Sequence, residues 1–536
     1  MPWDRVRWLL LAIAGAVLVG HTLRYDFITD DAYISFVFSR NFAEHGQLVF
    51  NLGDPVEGYT NFLWTLLLGL GLKAGVPIEL AAKGLALACA LGTLGVVFRI
   101  TERALGRRTC WAAVPPLLLA CSSGFACWTS GGLETQLFTL LVVIALDAVL
   151  AAVDRPGAIR RAGVALALAA MTRPEGLIVA GVLGLVHLGT LIVRARDARR
   201  LPSPGPELIA VALFFVLWAP WFVWRYRTYG HLWPNTYYVK AHGRWSDPRF
   251  AVELYRAGAH YLWVWLMQTR LLYALPLALL GLVVGTLRTP RFALAMAATL
   301  LLAIYVPYVI SVGGDFMGLH RFIMPLFVIA ALAVVLGLEW LTSLLPAAAR
   351  PAIAAVVATL LVGGFGFTQF ELTRASLRWG NFAGDRGIDT PAFLIVYTED
   401  RAAIGRAMAP CFLPDDFSIV GGAGAQPYFG RMRAVDVFGL VSEKIAHEEP
   451  RIRPRAGHTK FATDAVLQTY DPTFVFSCYA IHARPDPQPR LPCAGGWLAR
   501  GYEHVTMRIP GMRQLGEYYT FLAKKERAFQ CPGRVH

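Results

Sequence analysis

The feature that most constrains this chain is a series of apolar stretches, each close to the length needed to cross a bilayer, which takes roughly 20 helical residues. We place eleven, at 6–23, 79–100, 110–128, 134–153, 160–172, 175–194, 207–227, 271–288, 292–312, 322–345 and 352–371. Only 16% of the residues are charged, against about 25% in soluble proteins. The sequence therefore predicts a polytopic α-helical membrane protein of about 11 transmembrane helices.

Loop charges predict the orientation, because Lys and Arg collect in short cytoplasmic loops. Segment 61–73 is short for a span, and we expect it to lie along or re-enter the outer surface. With it left out of the count, the arginines of segments 5–7, 99–108, 155–161, 194–200 and 288–291 all fall inside. We therefore predict a multi-pass membrane protein with a retained N-terminal signal anchor. Segments 24–78 and 228–270 and the C-terminal region would lie outside.

An acid-rich insert, residues 24–61, directly follows the first apolar stretch. Carboxylates just outside the hydrocarbon can accept a proton, hold a divalent cation or bind sugar hydroxyls. In a helix, Asp30 and Asp31 would point about 100° apart, so one could act on a reacting hydroxyl while the other orients a sugar or metal. We predict Asp30 and Asp31 as the catalytic residues and favour Asp30; a solvated loop that helps to set topology stays open.

The other predicted outer loops are rich in groups that suit sugars and phosphates. Arg173, Lys240 and Arg321 are cations on the predicted outer side, where a lipid phosphate would need them; Glu175 is an alternative partner for Arg173, and interfacial anchoring is an alternative for the Tyr residues of segment 233–240. We predict the following binding residues in the membrane part: Glu57, Tyr59, Asn61, Glu134, Arg173, Glu175, Asn235, Tyr238, Lys240, Asp315, His320 and Arg321. Asp30, Asp31 and Asp315 could hold a divalent cation (Mg, Mn or Ca).

Composition becomes globular after residue 371, which predicts domains at 1–371 (transmembrane, catalytic) and 372–536 (soluble α/β). We expect a helix near 399–408 and strands at 417–420 and 473–477. Gln426, His458 and Lys460 of this domain could close over the membrane site, with a structural role equally open. The glycines of segment 421–426 do not form a nucleotide loop, because Pro427 stands where a helix should begin.

The eight cysteines divide evenly between the two parts of the chain. Cys89, Cys110, Cys121 and Cys127 lie in or beside apolar stretches and are predicted to be small core residues. Cys411, Cys478, Cys493 and Cys531 allow three disulfide pairings, and we favour a bridge between Cys478 and Cys493.

Several motifs taken in order are typical of one superfamily: DDAYISFVFSRNFAEHGQLVFN, VEGYTNFLW, SGGLET, TRPEG, PNTYYVK, GGDFMGLHRF, AGAQPYF and DVFGL. With them the chain resembles the GT-C superfamily of polyprenyl-phosphate-dependent membrane glycosyltransferases, and more narrowly the AftB-type arabinofuranosyltransferase family. The resemblance implies transfer of D-arabinofuranose from decaprenyl-phosphoryl-arabinofuranose to a hydroxyl of an envelope polysaccharide, glycolipid or glycoprotein. It maps the acidic motif of the first outer loop to Asp30 and Asp31.

Three other functions remain open at this stage. A related transferase could use lipid-linked mannose, glucose or aminoarabinose, and an inactive member could only bind glycan. A lipid-linked sugar flippase or exporter would need polar residues throughout its spans, whereas these are mostly Ala, Leu, Val and Gly. Nucleic acid is not an expected partner, because many of the arginines lie in short connectors between apolar spans.

Overall fold

The computed structural model describes residues 3–106, 109–199, 203–241, 247–286, 289–378, 387–452 and 455–535. Arg107, Arg108, Arg200 and Arg288 of the predicted inner loops lie outside these ranges. The membrane part consists of helices α1 Trp3–Tyr25, α2 Asp30–His45, α3 Phe62–Lys73, α4 Ile78–Leu105, α5 Val114–Cys121, α6 Ser123–Ser130, α7 Thr135–Ala152, α8 Ile159–Thr172, α9 Gly176–Ala198, α10 Gly205–Tyr229, α11 Asn235–Lys240, α12 Pro248–Gln268, α13 Leu271–Thr286, α14 Thr289–Ser311, α15 Met324–Ser343 and α16 Arg350–Ser376.

Eight helices in the described ranges are long and apolar enough to cross a membrane, and up to ten spans result if two bent helix pairs each count as one. The remaining predicted span, 160–172, corresponds to α8, which has only 14 residues. Helix α8 is nevertheless tightly packed, because a side chain on Gly163 would collide with the backbone of Ala210 in α10. The polytopic helical fold is confirmed, with fewer spans by length than predicted.

Segment 228–270, predicted as an outer loop, is largely helical. Its main element, α12, begins with Pro248 in the first turn, and the Asp247 side chain accepts a hydrogen bond from the backbone N–H of Arg249. Pro suits a first turn because that N–H has no intrahelical partner. Helices α12 and α13 meet at a 90° bend, where Arg270 has a φ of 56°.

The acidic insert also folds into helices. Helix α2 carries Asp30 and Asp31 in its first turn, where carboxylates favour the positive end of the helix dipole. It ends at Gly46, whose φ of 74° closes the helix in the left-handed conformation that glycine adopts without strain. Short helix α3, which directly follows the insert, packs against α2.

The C-terminal region contains one mixed sheet. Its helices and strands are α17 Pro391–Met408, β1 Phe417–Val420, α18 Ala425–Gly430, β2 Arg433–Asp436, α19 Glu443–Glu448, α20 Asp464–Gln468, β3 Phe474–His482, α21 Gly495–Leu498, β4 Tyr502–Arg508, β5 Tyr518–Lys524 and β6 Arg534–Val535. The strand order is β2-β1-β3-β5-β4-β6, parallel from β2 to β3 and antiparallel from β3 to β6.

Two disulfides stabilise this sheet region. The predicted bridge between Cys478 and Cys493 is confirmed, and Cys411 pairs with Cys531. Cys89, Cys110, Cys121 and Cys127 are free thiols, of which Cys89 and Cys127 are buried. Together the helical membrane part and the C-terminal α/β region give the predicted fold class.

Candidate active site

A cavity with about 90 Å³ of free volume opens where α2, the loops after α2, α6 and α8, and helix α11 meet the C-terminal region. Its lining residues are Asp31, Ile34, Ser35, Gly58, Tyr59, Thr60, Asn61, Leu133, Glu134, Arg173, Thr236, Lys240, Arg321, Phe322 and Leu440. Seven of the predicted site residues are among them: Asp31, Tyr59, Asn61, Glu134, Arg173, Lys240 and Arg321. The cavity thus combines residues from most of the motif-bearing loops with one residue of the C-terminal region.

The two adjacent aspartates of α2 face different surroundings. Asp30 is buried, and its Oδ1 accepts a hydrogen bond from the backbone N–H of Ala425, 2.8 Å away. A side chain on Gly424 would collide with Asp30, so the backbone of the C-terminal region approaches this carboxylate as closely as glycine permits. Burial raises the pKa of Asp30 to about 6, although the Ala425 N–H opposes the shift.

Asp31 faces the cavity. Among the described residues none forms a hydrogen bond or ion pair with its carboxylate. Burial raises the pKa of Asp31, and the nearby charges of Arg321 and Lys240 oppose that rise. A carboxylate with a raised pKa and an open face is suited to accept a proton from a bound hydroxyl.

Lys240 supplies the opposite charge. It ends α11, which is fixed at its other end because Asn235 Nδ2 donates to the carbonyls of Gly439 and Leu440 at 2.7 and 3.0 Å. The ammonium group has no hydrogen-bond or ion-pair partner in the part of the chain that the structure describes. Burial lowers the pKa of Lys240, and Asp31 opposes that shift. Within the described ranges, the cavity therefore holds one acid, Asp31, and one cation, Lys240, that are each without a direct protein partner.

Arg173 is held within a hydrogen-bonded network. It donates to Glu134 at 2.6 Å and to Glu175 at 3.0 Å. Asn61 Nδ2 donates to the second oxygen of Glu134 at 2.9 Å, and the Phe322 ring lies 4.5 Å from the guanidinium. Coulombic attraction to Glu175 and Glu134 raises the pKa of Arg173 well above its usual value, although burial, the largest single influence, opposes the rise. This arginine is already paired, so it contributes a fixed polar wall.

Arg321 is also paired, through its Nε to Asp315. Its guanidinium lies 5.6 Å from the Trp128 ring. Asp315 borders a second cavity, of about 420 Å³, which is lined by Tyr261 of α12 and by Arg455 among others. The Arg321–Asp315 pair therefore lies between the two cavities.

The remaining predicted site residues do not line the first cavity. Glu57 forms a buried two-pronged ion pair with Arg225, and the ring of Tyr238 lies 4.0 Å from that of His447. Glu175 and Asp315 reach the cavity only through their arginine partners, and Asn235 fastens α11 to the C-terminal region.

His320 and three residues of the C-terminal region are held by other contacts. His320 Nε2 pairs with Gln268 Oε1 at 2.8 Å, and burial lowers its pKa to about 3. His458 lies between the rings of Phe316 and Phe438, and burial lowers its pKa to about 3. Lys460 Nζ donates to the Ala446 carbonyl at 2.6 Å, with burial lowering its pKa to about 8. Gln426 is buried next to Ala425 in α18.

The three predicted metal carboxylates lie in different surroundings. Asp30 accepts from Ala425, Asp315 pairs with Arg321, and Asp31 faces the cavity. A role for these three in cation binding stays a prediction.

Sequence reasoning missed Ser35 and Arg225. Ser35 lines the cavity four residues after Asp31, so helical spacing from Asp31 was a usable signal. Its hydroxyl donates to Asn61 Oδ1 at 3.1 Å. Arg225 lies in an apolar helix, and only the three-dimensional structure shows that it neutralises Glu57.

The chain is similar to a curated relative, the terminal β-(1→2)-arabinofuranosyltransferase of Mycobacterium tuberculosis (strain ATCC 25618 / H37Rv). The two are 30% identical over 372 residues, which cover 61% of this chain and 55% of the relative. The chain thus spans little more than half the length of that relative. No protein-family profile matches.

Solved structures show the fold over nearly the full chain. The structure of ArnT from Cupriavidus metallidurans bound to undecaprenyl phosphate aligns with a TM-score of 0.54 at 15% identity, covering 96% of this chain and 97% of ArnT. The oligosaccharyltransferase of Archaeoglobus fulgidus aligns with a TM-score of 0.50 at 14% identity, over 79% and 62% of the two chains. The chain therefore has the fold of these membrane proteins, and the GT-C fold predicted from the motifs is confirmed.

Proposed function

We propose that this protein is a membrane glycosyltransferase that moves a sugar from a polyprenyl-phosphate donor to a hydroxyl of a cell-envelope acceptor. The observation that carries this proposal is the pair of opposite charges facing one cavity, Asp31 and Lys240, which have no direct partner among the described residues. Both side chains are partly buried, and removing a charge from water without a partner is costly, so an arrangement of this kind fits a site where a substrate supplies the missing partners.

Each charge has a separate task in the reaction. The acceptor oxygen attacks the anomeric carbon of the sugar, and Asp31 takes the proton that the hydroxyl loses. The bond between that carbon and the phosphate oxygen breaks, and the polyprenyl phosphate leaves as an anion. Lys240 binds this anion, with Arg321 and Arg173 adding positive charge at the cavity wall.

The sugar and the donor are proposed from the relatives. The curated relative is named for arabinofuranosyl transfer, which supports D-arabinofuranose as the sugar. ArnT was solved with undecaprenyl phosphate, which supports a polyprenyl-phosphate carrier such as decaprenyl-phosphoryl-arabinofuranose. The acceptor would be an envelope polysaccharide, glycolipid or glycoprotein.

We further propose that the cavity opens on the periplasmic side of the inner membrane. Arg99, Arg103 and Arg161 all pair with buried Asp147, and they lie at the end of α4 and the start of α8. These are the helix ends away from the cavity. The positive-inside tendency places such arginines in the cytoplasm. An alkaline phosphatase fusion after His536 should then be active, and a cytoplasm-only reporter silent.

The decisive experiment incubates purified full-length protein with a panel of polyprenyl-phospho-sugars and a hydroxyl acceptor, with mass analysis of the released lipid phosphate and the product. We expect release from the arabinofuranose donor, with little from the mannose, glucose or aminoarabinose donors. Release from another sugar alone would keep the transferase and replace the sugar. Transport of intact donor across vesicles without release would favour a flippase instead. Parallel reactions with EDTA and with Mg²⁺, Mn²⁺ or Ca²⁺ would test whether a cation takes part.

A further inference from the structure

A second group of side chains with different chemistry lies outside the cavity. His231, Glu443 and His447 place one ligand atom each within 4.8 Å of the others. His231 follows α10 in the membrane part, whereas Glu443 and His447 both belong to α19 of the C-terminal region. We propose that these three residues bind a divalent transition metal ion, with Zn²⁺ as the best fit, and so link the two regions.

The local structure brings the ligands to one point. Glu443 and His447 are four residues apart in α19, so their side chains lie on the same face of the helix. Ser442 caps this helix by accepting a hydrogen bond from the Ile445 N–H at 3.2 Å. Gly230, with a φ of 75°, ends α10 and turns the chain so that His231 Nε2 lies 2.6 Å from Glu443 Oε1.

Ligand type and spacing both favour zinc. Two imidazoles and one carboxylate form a common set of zinc ligands, with bonds of about 2.0–2.2 Å and a fourth position open to water. The imidazole rings of His231 and His447 have centroids 4.6 Å apart, so small side-chain rotations would let both nitrogens and the carboxylate reach one ion. Glu443 and His447 are exposed, and His231 is half-buried, so an ion can enter from solvent.

The place of the ion in the fold suggests what it does. Asn235, four residues after His231, donates hydrogen bonds to the carbonyls of Gly439 and Leu440, just before α19. An ion bound to His231 and α19 would strengthen the same junction, which fixes α11 and therefore Lys240. Metal binding itself does not depend on the proposed transferase activity.

The test is Zn²⁺ binding by full-length protein in detergent after chelator treatment, measured by competition with a chromogenic chelator. We expect wild type to bind one Zn²⁺ more than the double variant His231→Ala/His447→Ala. His45→Ala is the matched control, since His45 lies 3.8 Å from Glu44 without a third ligand, and it should bind as wild type does. Loss of one ligand should weaken binding on the order of 100-fold, because even partners one step further from a metal are worth 10- to 100-fold.

A conservative variant guards against loss of folding. Glu443→Gln keeps a hydrogen-bond partner for His231 but removes the anionic ligand. We expect Zn²⁺ to raise the melting temperature of wild type and of His45→Ala but not of Glu443→Gln. Equal Zn²⁺ stoichiometry and affinity in wild type and the double variant, or an equal thermal shift in Glu443→Gln, would overturn the proposal. Because neither readout uses sugar transfer, these outcomes leave the proposed function to its own test.

Discussion

The two faces of helix α2 contact different parts of the molecule, although Asp30 on one face and Asp31 on the other are adjacent in sequence. On one face Asp30, Tyr33 and Arg40 contact the C-terminal region: Asp30 accepts from Ala425, the Tyr33 ring lies 5.2 Å from those of Tyr428 and Phe429, and Arg40 donates to the Tyr428 carbonyl at 2.6 Å. On the other face, Asp31, Ile34 and Ser35 line the cavity. The comparison teaches that a pair of neighbouring acids is not one functional unit, because a helix sends each to a different environment.

The largest effect on turnover should come from a substitution on the face of α2 that lines the cavity. Asp31→Asn keeps the shape of the side chain and removes the carboxylate that we propose takes the proton, so turnover should fall about 10²- to 10⁴-fold. Turnover of the arabinofuranose donor measures this, with the melting temperature as a check on folding. Near-full turnover in folded Asp31→Asn would transfer the role to another acid.

Removal of the Lys240 ammonium group should have the next largest effect, on use of the donor. Lys240→Ala should weaken donor use about ten- to a hundredfold, since a charge-assisted hydrogen bond contributes roughly 1.5 to 3 kcal/mol. Donor titration at fixed acceptor should place most of the loss in KM for the donor. Lys444→Ala is the control, because Lys444 only donates to Thr469 on the exposed side of the C-terminal region. An unchanged donor curve in Lys240→Ala would mean that the phosphate binds elsewhere.

Stability at the contact between α2 and the C-terminal region should depend on side-chain size rather than on charge. A methyl group on Gly424 would collide with Asp30, so Gly424→Ala should destabilise the protein by about 1–3 kcal/mol. Gly421→Ala is matched, because nothing lies within 4 Å of the position that its added carbon would take. Thermal unfolding of both variants compares them directly. Equal melting temperatures would show that the contact contributes little to stability.

Asp30→Asn should have the smallest effect, with turnover within about tenfold of wild type. The pKa of Asp30 is about 6 in the folded protein, above its ordinary value of 3.8. As pH rises between these two pKa values, the Asp30 carboxyl loses its proton in the unfolded chain before it does so in the folded protein, so the free energy of unfolding falls. Above about pH 6 the carboxyl is ionised in both states, and the free energy of unfolding falls no further. Asn does not titrate, so its stability relative to wild type should increase from pH 4 to pH 7 by about 2–3 kcal/mol. A turnover loss as large as that of Asp31→Asn would return Asp30 to the catalytic role.

Periodicity and composition were sufficient for the general architecture. Apolar length predicts helices such as α4 and α15, and short alternating runs predict strand β1 at its observed bounds. Apolar length did not predict α12, because polar and apolar residues alternate along it and its sequence resembles that of a loop between spans. For α8 the predicted bounds of 160–172 agree closely with the observed Ile159–Thr172, but a helix of 14 residues is short for a full span.

Many residues of the site could be predicted from the sequence, but the ion pairs between them could not. Charged residues at the outer ends of spans identify Arg173, Lys240 and Arg321 as a group, because each is costly there without an anion. Which of these three cations forms an ion pair with a carboxylate depends on contacts between distant segments. Glu134 and Asp315 reach their arginines only after folding, and the choice between Asp30 and Asp31 depends on the C-terminal region.

The hydrogen bond between Ala425 and Asp30 joins residues 395 positions apart in the chain. During synthesis, the second helix of the protein is therefore made long before the segment that covers one of its faces. Until the ribosome has passed α18, Asp30 lacks this partner, and until it has passed Leu440 the cavity lacks part of its wall. A nascent or prematurely terminated chain could already occupy the membrane with every arginine of the cavity in place. It would still have an incomplete site, so the order of synthesis itself delays completion of the cavity until most of the protein has been made.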